Sequence, residues 1–282
     1  MTYMDHIDAC NHHDLSNYRP FEVDGMIVGY VSFPLVESLQ AFPEVFSIGE
    51  TVVSFEASYT DFESRSRAIA TVVASLSGEG SLPPIRGEIY PVALNFTDTP
   101  YFQLDRGAIA AFGVRAFGVH VNGFVRNPDG SIDMWIARRA GDRMAYPDML
   151  DNIVAGGQPI GLGLLENVVK ECGEEASIPP ELAGTATSTG AISYVYDADD
   201  GLKPDMMFCY DLELPVDFQP RNTDGEVAAF YRMPLSEVAE IVETSFDFKF
   251  NCSLVIIDFL IRHGFIPPEH PDYLALIQGL RR

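Results

Sequence analysis

Three glutamates, Glu171, Glu174 and Glu175, stand close together in a segment whose apolar spacing predicts a helix. Their spacing of i, i+3 and i+4 places all three side chains on one helix face within a single turn. Carboxylates this close repel one another, and helix propensity does not require the arrangement. A hard divalent cation removes the repulsion, because Mg²⁺ prefers carboxylate oxygens, water and substrate phosphates. The cluster therefore predicts either a metal site or a solvated acidic helix face.

The residues on either side of the cluster add a second pattern. From Gly156 through Lys170 to Ile178, the chain reads G-x5-L-x7-K-E-C-x-E-E-x-S-I. This pattern resembles the Nudix box, the glycine-to-isoleucine signature of enzymes that hydrolyse diphosphates. The resemblance implies that the three glutamates bind Mg²⁺ or Mn²⁺. It also implies that Glu174 and Glu175 take part in catalysis.

Three positions depart from the usual Nudix box. Lys170 replaces an arginine, so the charge is kept but the planar guanidinium fork is lost. Leu162 stands where the box normally has its first glutamate, and Ser177 replaces the final glycine. The serine adds strain if the chain needs a left-handed conformation there. All three metal-binding glutamates are retained, which favours an enzyme. The departures leave open a non-catalytic Nudix module that only binds a diphosphate.

Further segments resemble one Nudix subfamily, which is associated with thiamine pyrophosphokinase in fungi and occurs as plastid enzymes in plants. The matching segments are residues 20–25, 28–31, 151–157, 208–215, 224–227 and 252–264. This resemblance implies hydrolysis of thiamine diphosphate or its oxidised analogues to the monophosphate. Hydrolysis of a nucleoside diphosphate derivative such as ADP-ribose is the alternative.

Four residues outside the box are candidates for the same site. In Nudix folds a glutamate from a later strand end often reaches the metal cluster, and the resemblance assigns that role to Glu226; an ordinary surface glutamate is the alternative. Arg139 and Arg143 lie upstream of the box, and arginine holds a diphosphate bidentately. Arg143 is the leading candidate, with a solvated loop charge as the alternative. Tyr146 lies in the same loop and is a candidate to stack on the ring of a ligand.

The elements that must position these residues divide into two parts. Residues 1–113 mix short helices and strands, including a hairpin at Asp24-Gly25, without a carboxylate cluster. We expect an accessory α+β domain there that shapes specificity. Residues 114–282 alternate strands and helices, which predicts an α+β fold whose mixed sheet is covered on both faces. The resemblance identifies this second part as the Nudix domain, an α/β/α sandwich. Its strands are expected at 119–125, 131–137, 152–157, 191–196, 206–212 and 227–232, and its helices at 161–176, 235–243, 253–263 and 273–280.

Composition narrows the range of partners. The 282 residues include 41 acidic and 18 basic side chains, for a formal net charge of −23. This charge repels nucleic acids and anionic membranes, which leaves a small-molecule diphosphate as the expected partner. The four cysteines lie far apart, and the first residues do not form a signal peptide, so we expect reduced thiols and a cytoplasmic location. The sequence leaves a homodimer open.

Overall fold

The structure, a computed structural model, describes residues 1–142, 145–223 and 225–282. Its first part contains two small sheets and one long helix. The elements are α1 (Tyr3–Ala9), β1 (Tyr18–Val23), β2 (Met26–Ser32), α2 (Phe33–Leu39), β3 (Phe46–Ile48), β4 (Val53–Phe55), α3 (Phe62–Gly78), β5 (Ile89–Val92) and β6 (Phe102–Asp105). Short 3₁₀ turns lie at Leu15–Asn17 and Arg106–Ala108.

Local sequence explains the main elements of this part. The hairpin of β1 and β2 turns at Asp24 and Gly25, whose φ angles are 53° and 78°, so the predicted Asp-Gly turn is confirmed. The larger sheet has the order β2-β1-β4-β3. Helix α3 begins after Asp61, whose carboxylate accepts the N–H of Ser64 at 2.9 Å. The buried side chains of α3, such as Ile69, share one hydrophobic core with that sheet.

The second part is built around a larger sheet. Its elements are β7 (Phe117–Arg126), β8 (Ile132–Arg139), β9 (Leu150–Asn152), β10 (Val154–Gly157), α4 (Leu164–Ala176), α5 (Pro180–Ala183), β11 (Thr187–Ser193), β12 (Tyr196–Ala198), β13 (Gly201–Lys203), β14 (Met206–Glu213), β15 (Val227–Pro234), α6 (Leu235–Thr244), α7 (Cys252–Arg262) and α8 (Tyr273–Gly279). The sheet order is β11-β14-β7-β8-β15, with β10 also paired to β7 and β9 to β8. Strand β14 runs parallel to β7 and the other pairs are antiparallel, so the sheet is mixed.

Alternating side chains cover both faces of this sheet. Trp135 packs in one core with residues of α4 and α5, whereas Met134 and Ile136 pack in another with α6, α7 and α8. This arrangement confirms the predicted α+β sandwich with a mixed sheet. None of the helices in the described ranges has the length and hydropathy that a membrane span requires. The four cysteines are buried and free.

The structure differs from the sequence prediction in several places. The strand expected at 191–196 lies at Thr187–Ser193, and the one expected at 152–157 is divided between β9 and β10. Helix α1 packs with α7 and α8 in the second core, although the sequence assigned these residues to the first part. Helix α4 begins at Leu164 rather than near Gly161, because Gly161 has a φ of 82° and belongs to a loop. The short hairpin of β12 and β13 was not predicted. Its sequence, with Asp199 and Asp200 in the turn, lacks the alternation that marks a longer strand.

Candidate active site

Helix α4, which packs on one face of the sheet, carries the three glutamates. Two apolar residues of this helix, Val168 and Cys172, are fully buried. Glu171 is also buried, with 8% of its surface exposed, whereas the Glu174 side chain is half exposed. The space for Glu171 is provided by Gly156, since a Cβ at that position would lie 2.5 Å from Cγ and 2.7 Å from Oε1 of the glutamate. The glycine of the box is therefore required by close approach of a carboxylate.

Lys170 connects two of the carboxylates. Its ammonium nitrogen lies 3.0 Å from Oε1 of Glu171 and 2.8 Å from Oε2 of Glu174. Burial opposes the charged form of Lys170, but the hydrogen bonds to the two glutamates outweigh it and raise its pKa to about 12. The lysine thus acts as a point charge between two carboxylates, in place of the fork that an arginine would give.

Among the glutamates of α4, Glu175 has a negative charge that its surroundings strongly disfavour. Its Oε2 accepts the N–H of Ala155 at 3.0 Å. Burial raises its pKa well above the usual range, and the negative charges of Asp151, Glu171 and Glu226 raise it further. A divalent cation among these oxygens would relieve the repulsion. The all-oxygen donor set of these side chains suits Mg²⁺ or Mn²⁺.

One cavity brings together residues that are distant in the sequence. It is lined by Ala137, Arg139, Asp151, Asn152, Glu175, Glu226 and Val227. Three sequence candidates, Arg139, Glu175 and Glu226, therefore face the same space. Glu226 follows a loop and precedes β15, and its carbonyl accepts the N–H of Ala140 at 2.9 Å. The structure places it where a later glutamate can join the cluster on α4.

Arg139 holds the loop that precedes the box. Its guanidinium donates to Oδ2 of Asp151 at 2.8 Å and to the carbonyls of Ala145 and Tyr146 at 3.0 Å each. Much of its donor capacity is thus already used inside the protein. The other predicted phosphate-binding residue, Arg143, lies outside the described residues.

Tyr146 lies on the same loop and belongs to an aromatic cluster whose other members come from distant parts of the chain. Its backbone has a φ of 53°, and its hydroxyl lies 3.2 Å from that of Tyr196. Its ring centroid is 5.2 Å from that of Phe250, which also contacts Tyr194 and Tyr196. Tyr146, Tyr196 and Phe250 thus form an aromatic wall beside this loop, which the sequence did not predict.

A largely buried ion pair that the sequence did not predict adjoins the cavity. The ammonium of Lys249 lies 3.6 Å from Oδ2 of Asp151, which also accepts from Arg139. Burial alone would raise the pKa of Asp151, but the two cations outweigh it and hold that pKa below its usual value. Asp151 therefore stays charged and fixes both cations. A lysine between Phe248 and Phe250 in so acidic a chain was the available signal.

A second group of potential metal ligands adjoins this ion pair. His120, Asp151 and Cys252 are buried and place one ligand atom each within 4.8 Å of one another. Cys252 donates to Oδ1 of Asp151 at 2.6 Å, and burial together with Lys249 lowers the pKa of His120 to about 4. Because Lys249 and Arg139 already neutralise the carboxylate, a cation here would meet two positive charges. The glutamates of α4 fit a divalent cation better.

The departures from the usual box have visible consequences. Ser177 adopts the left-handed conformation, with φ of 53° and ψ of 34°, so the expected strain is present. Its hydroxyl donates to the carbonyl of Arg221 at 2.7 Å, which offsets part of that strain. At Leu162 the carbonyl accepts from the side chain of Gln158 at 2.6 Å and so closes the loop before α4. Both substitutions are accommodated without displacing the three glutamates.

Comparisons with known proteins identify relatives of this chain. The family described as Domain of unknown function (DUF4743) matches residues 2–116. Nudix hydrolase 20, chloroplastic, of Arabidopsis thaliana is 42% identical over 290 residues, covering 99% of this chain and 77% of the relative. Nudix hydrolase 24, chloroplastic, of the same plant is 41% identical over 283 residues, with the same coverage of each chain. Both are named chloroplastic, so the cytoplasmic location stays a prediction.

A search of solved structures gave more distant likenesses. The Nudix domain of Shewanella oneidensis NrtR, complexed with ADP ribose, aligns with 54% of this chain and 91% of its own. The TM-score is 0.43 and the identity 14%, which is too distant to bear on ligand or activity. The full-length relatives carry the assignment. At 41–42% identity over nearly the whole chain, with the three glutamates gathered on one helix, the chain belongs to the Nudix hydrolase family and is a pyrophosphohydrolase.

Proposed function

We propose that this enzyme cleaves the diphosphate of thiamine diphosphate, or of an oxidised analogue, to give the monophosphate. One observation carries the proposal of diphosphate chemistry: a partly buried glutamate, Glu175, sits among further carboxylates at a cavity that an arginine also lines. The choice of a thiamine compound rests on the resemblance to the subfamily that is associated with thiamine pyrophosphokinase.

Glu171, Glu174 and Glu175 would hold Mg²⁺ or Mn²⁺. A bound divalent cation supplies neutralisation of phosphate charge and makes water a better nucleophile. The chain's own groups then have separate tasks. Glu175 and Glu226 both line the cavity, so either carboxylate is placed to accept a proton from the attacking water. Lys170 keeps Glu171 and Glu174 together while the cluster carries its full negative charge.

Substrate contacts are proposed on the loop between β8 and β9. Arg143 is our candidate for a direct phosphate contact. Arg139 lines the cavity, where it orders the loop through two carbonyls and Asp151. The wall of Tyr146, Tyr196 and Phe250 is the candidate surface for the ring system of the substrate. Residues 1–113 would shape specificity as an accessory domain, although α1 packs with the second part.

A substrate panel tests this proposal. With Mg²⁺ present, we expect orthophosphate and a thiamine-type monophosphate from thiamine diphosphate, oxothiamine diphosphate or oxythiamine diphosphate. The best of these should exceed ADP-ribose and nucleotide sugars in kcat/KM by about tenfold or more, because a built site discriminates between ring systems. Products are separated by liquid chromatography. Faster release of AMP from ADP-ribose would assign the enzyme to nucleoside diphosphate derivatives, and tight binding without turnover would indicate a non-catalytic module.

A further inference from the structure

The first part of the chain contacts the strand that leads into the Nudix box. The N–H of Ile160 donates to the carbonyl of Ile89, in β5, at 2.9 Å. The neighbouring Tyr90 is buried. Its phenol group occupies the place that a side chain at Gly157 would need, since a Cβ there would approach Cζ of the tyrosine to 2.6 Å. Gly157 directly follows Gly156, which makes room for Glu171. Strand β5 therefore lies beside the metal-binding carboxylates.

This contact brings an arginine of the first part to the site. Arg106 follows β6, and its Nη1 donates to Oε2 of Glu88 at 2.7 Å. Its guanidinium carbon lies 5.9 Å from the centroid of the Tyr90 ring. Among the described residues, Glu88 is the one hydrogen-bond acceptor that the structure gives this side chain, and 52% of the side chain is exposed. Several N–H groups of Arg106 therefore remain available to a ligand.

The backbone around Arg106 is held in place by a buried carboxylate. Asp105, which is 9% exposed, accepts the N–H groups of Arg86 at 2.9 Å, Gly87 at 2.8 Å and Gly107 at 2.8 Å. The N–H of Arg106 itself donates to the carbonyl of Glu88 at 2.8 Å. These bonds tie the turn after β6 to the start of β5. The guanidinium thus extends from a fixed platform, which is what recognition of a phosphate requires.

The charges of the two parts act on one another. Burial would lower the pKa of Arg106, but the fields of Tyr90, Glu88 and Glu226 outweigh it and raise that pKa. Glu226 also lines the cavity beside Glu175. Arg106 is therefore a cation at the margin of a strongly acidic site.

We propose that Arg106 binds the diphosphate of the substrate, so that the first part of the chain completes the active site. This inference rests on the proposed diphosphate hydrolase function. An acidic protein can hold a polyanion only where cations are concentrated. Arg139 already donates to one carboxylate and two carbonyls, whereas Arg106 makes a half-exposed ion pair with Glu88 that a phosphate can share. Tyr90 and Glu88 orient the guanidinium for this contact.

The test compares arginine variants of the full-length protein. Arg106→Ala should lower kcat/KM by about 30- to 300-fold on every diphosphate that the wild type hydrolyses. Arg106→Lys should restore part of the loss, and added guanidinium chloride should partly rescue Arg106→Ala. Arg67→Ala is the matched control, because Arg67 is an exposed arginine of the same part with an acidic neighbour, Glu63, at 3.9 Å. It should stay within about twofold of wild type.

A binding measurement separates this inference from the proposed function. Calorimetry with imidodiphosphate and Mg²⁺ should show about 10- to 100-fold weaker binding for Arg106→Ala than for wild type and Arg67→Ala. Equal values for all three proteins, in binding and in turnover, would overturn the inference while leaving the hydrolase intact. Arginine-dependent binding without any turnover would refute the proposed function and support the inference. Failure of the wild type to bind imidodiphosphate would overturn both.

Glu88→Gln decides between substrate binding and a purely structural role. This change removes the charge that pairs with Arg106 but leaves the guanidinium in place. If Arg106 binds substrate, Glu88→Gln should retain far more activity than Arg106→Ala at a similar melting temperature. If Arg106 only fastens β5 to the turn after β6, the two variants should lose activity and stability in parallel, and the inference is wrong.

Discussion

Glu175→Gln is expected to lower kcat/KM on any diphosphate by about 10²- to 10⁴-fold, the range associated with loss of a general base. The amide keeps the shape of the side chain and its contact with the N–H of Ala155, so the fold should persist. It removes the charge that binds a cation or accepts a proton. The matched control is Glu166→Gln on the same helix, where Oε2 accepts the N–H of Gly163 at 2.9 Å. An amide oxygen can accept the same bond, and activity should stay within about threefold of wild type.

Without metal, the stability of Glu175→Gln is expected to rise although its activity falls. A carboxyl whose pKa is raised by folding stabilises the protein below its ordinary pKa, and that contribution is lost as the pH rises through the raised value. Without metal, wild type should therefore lose stability relative to Glu175→Gln as the pH rises above the ordinary pKa of a carboxyl group. At neutral pH in EDTA the variant should melt higher, whereas Mg²⁺ should raise the melting temperature of wild type more. A variant that melts lower, or that responds to Mg²⁺ as wild type does, contradicts the assignment of Glu175.

Gly156→Ala is expected to separate metal binding from folding. The new Cβ would approach Cγ and Oε1 of Glu171 to 2.5 and 2.7 Å, and the flexible end of that glutamate must then move. Moving one side chain costs little stability, but it displaces an oxygen that we assign to the proposed metal site. We expect Mn²⁺ affinity and kcat/KM to fall by about 10- to 100-fold, as when the support of a metal ligand is lost. Both are measured, by Mn²⁺ titration with electron paramagnetic resonance and by steady-state kinetics.

The control for that variant is Gly173→Ala, also within the box. Gly173 lies in α4 with nothing within 4 Å of an added Cβ. Alanine in a helix interior is favoured over glycine by about 1 kcal/mol, so this change should stabilise the protein and leave Mn²⁺ affinity unaltered. If Gly156→Ala binds Mn²⁺ and turns over substrate as well as Gly173→Ala does, close approach of Glu171 is not what the box glycine provides.

Local patterns were enough to predict much of the fold and the placement of three glutamates on one helix. The spacing of the three glutamates, the Asp24-Gly25 turn and the alternation in β8 each depend on neighbours within a few residues, where periodicity is informative. The left-handed Ser177 was likewise foreseeable, because the box expects a glycine there. Helix α1 was missed although Tyr3, Ile7 and Cys10 have helical spacing, since seven residues are too few to stand out.

Long-range contacts explain what the sequence could not predict. Lys249 meets Asp151, and Arg106 lies within the field of Glu226, only because distant segments fold together. No spacing rule relates such positions. Arg139 shows the same limit in another way: the residue was predictable as a cation near the box, but its use in holding loop carbonyls depends on how that loop folds. The charge of a side chain follows from the sequence, whereas its interaction partner depends on the tertiary structure.

The location of a bound metal ion shows whether the three glutamates of α4 form the metal site. A crystal of the full-length protein grown with Mn²⁺ and imidodiphosphate, measured for anomalous scattering, shows which side chains ligate the ion. We expect the anomalous peak of Mn²⁺ to lie among oxygens of Glu171, Glu174 and Glu175, with the diphosphate beside it. A peak at His120, Asp151 and Cys252 instead, or diphosphate bound away from the glutamates of α4, would contradict it.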